Sequence, residues 1–267
     1  RALLRLSGRD TFKYLQTQTT NNLKSPQSQY TCFLNAQGRV LHDAFIYKIA
    51  EDACYLEVDA EQVAAVKEHL LRYKLRCKFV LEEVDPLALS VFSTDAASTM
   101  PAELIETSQD DLRGPDMGLR VLAKPDLIKS HTNDTPLTDY IKRRFLRAIP
   151  EGAHEFGLDA SGLPLERNLD LMGGVDFHKG CYLGQELTVR TYHTGVIRKR
   201  ILPVRLAESA AALPDALESQ MDAGDGSIAY TQGKQDIKLE GTNRPVGKLI
   251  GRMGNLGLAL YRLEKLN

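Results

Sequence analysis

The chain opens on an alternating apolar and polar segment, RALLRL, which predicts a strand, and a helix is expected from about Arg9 to Leu23. Two β-prone runs follow, YTCFL and VLHDAFIYKI, separated by Asn35-Ala36-Gln37-Gly38. Asn and Gly at the ends of that tetrapeptide suit a type I turn, so the pair reads as a hairpin. CYLEV is the next strand. The helix after it is expected to be capped by Asp59 with Gln62 reaching back, and its Val63, Val66 and Leu70 share one face. RCKFVLEEV and ALSVFS complete a second strand-helix-strand-strand group much like the first, which predicts two small α+β lobes.

From about Ser93 to Thr138 the chain turns to Ser, Asp, Pro and Gly with short apolar runs such as GLRVLA, the composition of loops and edge strands. After Arg198-Lys199-Arg200, short strands (ILPVRL, SIAYT, GKLIGRM, LGLALYRL) alternate with turns, a spacing typical of a small barrel or sandwich and hence of a third lobe.

At 267 residues with 43% hydrophobic side chains, the chain can bury a core that serves more than one lobe. Its 34 basic and 35 acidic residues nearly cancel, so no global field draws in a nucleic-acid backbone or an anionic membrane. No run approaches the roughly 20 apolar residues that span a bilayer. The sequence starts at Arg1 without a methionine, for which a trimmed start or a removed leader is the expectation. Four cysteines without a CxxC pair fit neither a disulfide framework nor a zinc ribbon, and a reducing compartment is the simpler reading. Cys32, Cys54 and Cys77 lie in apolar runs and are expected to pack.

The fourth cysteine stands apart. In PLERNLDLMGGVDFHKGCYLGQELTVRTYHTGVIRKR, Cys181 is bracketed by Gly180 and Gly184, which permit tight turns and close approach by another molecule. A helix is expected from Gln185 to about Tyr192, with Glu186 pairing with Arg190. A helix start and the nearby Lys179 charge would both favour the thiolate, the form that binds iron or attacks an electrophile. The plainer alternative is a small packing residue between Lys179 and Tyr182. His178 and His193 match no four-ligand zinc pattern and read as surface or capping residues. Arg198, Lys199 and Arg200 read as a solvated face or as a docking patch for an acidic partner or a polyglutamate tail. His42 and Asp43, adjacent on one strand, point to opposite faces and cannot act together on one atom. Glu166 and Asp170 would share a face only on a helix, and Pro164 makes an irregular segment the expectation there.

The run KGCYLGQE, followed by Arg190, Gly195 and Arg198, resembles the signature of the YgfZ-type branch of the folate-binding, glycine-cleavage T-protein-like superfamily. The resemblance extends upstream through YIKRRFLRAIPEG and FLNAQGRVLHDAFIY and downstream through VGKLIGRMGNLGLALYRL, so it covers nearly the whole chain. The wording GQELTVRTYHTGVIRKR looks most like the eukaryotic mitochondrial iron-sulfur cluster assembly factors of that branch. What the resemblance implies is an α+β fold: a three-lobed ring around a cavity, with lobes over residues 1–50 with 135–197, 51–134 and 198–267. It also implies maturation of [4Fe-4S] clusters in the mitochondrial matrix alongside A-type carrier proteins, without nucleic-acid or membrane partners and without classical enzymatic turnover.

Carried over by position, Cys181 becomes the chemical residue, a cluster ligand or redox thiol, with the cluster shared transiently with a partner. Lys179, Gly180, Tyr182, Gly184, Gln185 and Glu186 would shape its loop, and Arg190, Arg198, Lys199 and Arg200 form the basic patch. Asn35, Arg39, Asp43, Arg144 and Asn168 are candidates for lining a folate cavity, Arg144 offering its guanidinium fork to a tetrahydrofolate carboxylate. Aminomethyltransferases of the superfamily carry paired aspartates where this chain has His42-Asp43, and the KGCYLGQE cysteine is not their hallmark. Both departures weigh against the alternative of a tetrahydrofolate-dependent aminomethyl transferase. A third reading is a binding scaffold in which Cys181 only packs.

Overall fold

The computed structural model describes residues 1–24, 29–84, 88–92, 105–123, 137–157, 161–207, 228–230 and 235–266. Its first unit is an antiparallel sheet of β1 (Ala2–Ser7), β2 (Gln29–Leu34), β3 (Val40–Ala50), β4 (Ala53–Val58) and β5 (Val80–Glu83), in the order β2-β3-β4-β1-β5. β4 and β5 had been expected in a lobe starting at residue 51, yet their backbones complete the ladders of β3 and β1. The sequence boundary at residue 50 therefore falls inside one hydrogen-bonded sheet. RCKFVLEEV shortens to the four residues of β5.

Both faces of this sheet are buried along β2, β3 and β4, which explains why these strands read as near-continuous apolar runs, while the edge strand β5 is largely exposed. Against one face lie α1 (Thr11–Gln18) and α2 (Val63–Arg72), through Tyr14, Leu15, Val66 and Leu70 on Leu4, Leu6, Ile46 and Leu56. Against the other lie Met117, Leu122, Ile149, Phe156, Leu169 and Tyr182, packed on Leu3, Tyr30, Phe45 and Tyr47. The helix expected from Arg9 to Leu23 is shorter because Asp10 spends its carboxylate on the Lys78 N–H (2.8 Å) and Thr19 is already extended. Asp59 caps as expected, accepting from the Glu61 N–H at 3.0 Å, but the turn it starts is the 3-10 segment Ala60–Gln62 ahead of α2.

A second sheet contains β6 (Ala88–Phe92), β7 (Ile105–Asp110) and β8 (Leu119–Ala123) in the order β6-β8-β7. Most of the loop-rich region expected from Ser93 to Thr138 lies outside the described residues. The third sheet runs β10-β12-β13-β9, from β9 (Lys199–Arg205), β10 (Ala229–Tyr230), β12 (Pro245–Met253) and β13 (Leu256–Arg262), with β11 (Asp236–Lys238) also on β12. The helix α3 (Leu137–Leu146) packs Ile141 and Phe145 on Ile201, Met253, Leu256 and Leu258 of this sheet. Two further helices, α4 (Gly152–Phe156) and α5 (Gln185–Thr194), frame the cysteine-bearing segment. No helix among the described residues is long and apolar enough to cross a membrane.

Candidate functional site

Cys181 is exposed, whereas Cys32 and Cys54 are buried and Cys77 is partly so. Burial pushes the Cys54 thiol up to about 12 and the Cys32 thiol well above its ordinary value, the state of inert packing residues. The loop that presents Cys181 is fastened on both sides. The Leu183 N–H donates to the Thr17 carbonyl at 2.9 Å, and Gln185 reaches back to accept from the Tyr182 N–H at 3.2 Å. Tyr182 itself is a buried anchor in the core. Gly184 has φ +77°, and a Cβ there would stand 2.3 Å from the Asn35 carbonyl oxygen, so only glycine lets the hairpin turn seat against this loop. At Gly180 a Cβ would meet nothing, so that glycine leaves open space beside the cysteine.

Lys179 does something the sequence does not suggest. Its ammonium donates to the carbonyls of Gln16 (2.8 Å), Thr19 (2.6 Å) and Asn21 (2.7 Å), which closes the C-terminal end of α1, and it lies over the Tyr182 ring. All three donors are spent on the fold, and burial draws its pKa down to about 8 against the opposing charge of Asp176. Its role here is to hold the loop to α1. α5 begins at Gln185 with Gly184 as its N-cap, so the thiol sits three residues ahead of the cap. Glu186 and Arg190 are both exposed and no ion pair joins them.

His178 is exposed and 3.9 Å from Asp176, and His193 is exposed beside Tyr192. Among the described residues no group of three or more His, Cys, Asp and Glu side chains is placed to hold a metal ion. In the basic run, Arg200 forms a two-pronged pair with Asp170 (2.6 and 2.7 Å) and Lys199 lies 3.6 Å from Glu166. Arg198 is the member of the run left to solvent.

His42 and Asp43 do face opposite ways. His42 lies against His69 of α2, with ring centroids 6.4 Å apart, while Asp43 accepts from Arg1 and from the Gly152 N–H, both at 3.1 Å. Burial lowers the His42 pKa and draws His69 down to about 4, so both rings are neutral at pH 7.

On the Asp43 side lies a feature absent from the sequence reading: a buried ionic network joining the first two sheets. Arg120 donates to Glu57 (2.6 Å), to the Tyr140 hydroxyl (3.1 Å) and to the Tyr47 hydroxyl (3.3 Å), and its guanidinium stacks 3.9 Å from the Phe45 centroid. Arg113 binds Asp111 (2.9 and 2.7 Å), Glu151 (2.6 Å) and Tyr140 (2.8 Å). Arg1 bridges Glu57 and Asp43. Burial alone would raise the carboxyl of Asp111, but Arg113 and then Arg120 outweigh it and hold it below its ordinary value. Glu151 is held well below in the same way, burial being overcome by Arg113, Arg144, Arg1 and Arg120. The cluster is not visible in the sequence because Arg1 lies far from Arg113 and Arg120, and the carboxylates they meet, Glu57 and Glu151, come from other parts of the chain.

The residues named for a folate cavity fit that ligand poorly. Arg144 is locked two-pronged to Glu155 (2.8 and 3.1 Å), leaving no free fork for a carboxylate. The Asn168 amide donates to the Ala148 and Ile201 carbonyls, Arg39 donates to the Ser161 carbonyl, and Asn35 accepts from Gln37 and Arg39 within its own turn. Asp43 is held by Arg1 and Gly152 and is not a free base. In each residue at least part of the polar group is already committed to the fold.

The architecture is that of the aminomethyltransferase class. The structure of the glycine cleavage system aminomethyltransferase T from Bartonella henselae superposes with a TM-score of 0.65 at 12% identity, covering 98% of this chain and 76% of that one, which establishes the fold. Residues 198–267 match the family model for the CAF17 C-terminal beta-barrel domain. The iron-sulfur cluster assembly factor IBA57 homologue, mitochondrial, of Coccidioides immitis is 38% identical over 100% of this chain and 70% of its own length. Its counterpart in Pyricularia oryzae is 41% identical over 99% of this chain and 70% of its own. The chain belongs to this family of mitochondrial iron-sulfur cluster assembly factors.

Proposed function

We propose that this chain matures [4Fe-4S] clusters in the mitochondrial matrix by sharing a cluster with an A-type carrier protein, with Cys181 as its contribution to the ligand set. The observation that supports this is the contrast among the cysteines: three are wholly or partly packed away, while Cys181 stands exposed on a loop pinned by Lys179, Tyr182 and Gly184. A pinned loop pre-positions a thiol and leaves its sulfur free for an incoming cluster. One thiolate cannot satisfy a cluster that usually takes four protein ligands, so the remaining ligands come from the carrier. The cluster is cargo, and a scaffold that orders one thiol for it needs no turnover of its own. The committed state of Asp43 and Arg144 argues against aminomethyl transfer to tetrahydrofolate.

The test is activation of a purified apo-enzyme that needs a [4Fe-4S] cluster, supplied with cluster-loaded carrier and this chain under anaerobic conditions. Activation is expected with the wild type and not with Cys181→Ala, whose exposed side chain leaves folding untouched. Equal activation by the two proteins would remove Cys181 from the mechanism.

A further inference from the structure

Between α5, the 163–166 turn and the facing ends of β9 and β13 lies a cavity of about 350 Å³. That is the lower end of the range for small-ligand sites. Its chemistry is divided. Leu165 and Leu187 give it an apolar side, and Arg198 and Arg262 stand at it as cations. Glu166 and Lys199 also line it, 3.6 Å apart and offsetting each other, while among the described residues no ion pair joins Arg198 or Arg262 to a carboxylate. Thr188 lines the same space, its buried hydroxyl set against the Tyr182 side chain as a hydrogen-bond partner. A concave site with an apolar wall, one internal Lys199–Glu166 pair and two further guanidinium groups carries an excess of positive charge, which suits an anion on an apolar body.

The geometry points to a binding site here for a small amphipathic anion, a carboxylate or phosphate monoester carried on a short apolar chain. The two arginines take the headgroup, since the planar fork of a guanidinium matches either oxyanion. Leu165 and Leu187 take the chain. Because Leu187 and Thr188 belong to α5, the occupant would rest on the helix that follows the Cys181 loop. The assignment uses neither the cysteine nor a cluster, so it stands or falls apart from the function proposed above.

The chain has no tryptophan, so Val196→Trp, at an exposed position on the rim, gives a single-tryptophan reporter. Octanoate, octyl phosphate and inorganic phosphate are titrated into this protein by fluorescence and into the unmodified chain by calorimetry. Saturable one-to-one binding of octanoate or octyl phosphate is expected, with inorganic phosphate much weaker, and the tighter of the two amphiphiles assigns the headgroup. Arg198→Met and Arg262→Met should each weaken binding about tenfold or more, as for loss of a charge-assisted hydrogen bond. Arg252→Met, an exposed cation of the same sheet away from the cavity, should leave it unchanged. Leu187→Trp, which fills the apolar side, should abolish it. The assignment is overturned by absence of saturable binding in both assays, by wild-type affinity in both arginine variants, or by inorganic phosphate matching the amphiphiles.

Discussion

Arg120→Met is the sharpest probe of the buried network. The substitution keeps an unbranched apolar stem over Phe45 but removes the guanidinium that joins Glu57 on the first sheet to Tyr140 and, at 3.4 Å, to Asp111. Removing one partner of a buried ion pair costs about 3–5 kcal/mol, because the other charge is left behind without compensation. Here Glu57 keeps Arg1 at 3.1 Å and the Tyr47 hydroxyl at 2.7 Å, and Asp111 keeps Arg113, so the lower end of that range, about 3 kcal/mol, is expected. Glu57→Leu strands Arg120 in turn and should cost a similar amount. The double variant, which removes both charges, should be less destabilised than the sum of the singles by about 1–3 kcal/mol, the usual coupling of groups in one network. Urea unfolding at pH 7, followed by circular dichroism and fitted for midpoint and slope, measures all three. Additive effects, or a cost below about 1 kcal/mol for Arg120→Met, would show that the arginine is solvated and that the network is not a unit.

Gly184→Ala forces a side chain into φ +77° with its Cβ at 2.3 Å from the Asn35 oxygen; a loss of at least roughly 1–3 kcal/mol should appear in thermal unfolding, and an unchanged midpoint would refute the tight seat of the loop. His69 has its pKa drawn from 6.5 to about 4 by burial, by His42 and by Arg72, so the unfolded chain binds more protons between those values. The resulting stability is complete above about pH 6.5 and is lost as pH falls toward 4, by up to about 3 kcal/mol. His69→Phe should flatten that window in unfolding midpoints measured across pH, and an unchanged slope would exclude His69 as its source. Brief alkylation of the folded protein should modify Cys181 first and leave Cys32 and Cys54 intact until unfolding, as read by peptide mass spectrometry; early labelling of Cys32 would contradict its burial.

What could be read in advance follows from which interactions are local. The hairpin at Asn35–Gly38, the opposite facing of His42 and Asp43, and the helix after Gly184 each depend on a few consecutive residues, and each stands where the pattern put it. Cys181 announced itself by the glycines around it. The pairing of β1 with β4 and β5 did not, because those partners lie dozens of residues away, whereas the β3–β4 hairpin is local and a boundary at residue 50 overlooks it. The same holds for Lys179, whose acceptors lie 158 to 163 residues upstream, and for Arg113 and Arg120, whose charges make sense only beside Glu151 and Glu57. The bonding of the folate-cavity candidates is hidden from the sequence for a related reason. Position in a superfamily motif fixes where Arg144 and Asn168 stand, while their partners Glu155, Ala148 and Ile201 determine whether they are free.

The central claim, that the exposed thiol of Cys181 ligates a cluster shared with a carrier, is tested most directly by anaerobic titration of this chain with cluster-loaded A-type carrier. Visible absorption and circular dichroism are recorded for the wild type and for Cys181→Ala side by side. A new visible dichroism spectrum that saturates at a fixed ratio is expected with the wild type and is absent from the variant. The same new spectrum from both proteins would contradict the claim.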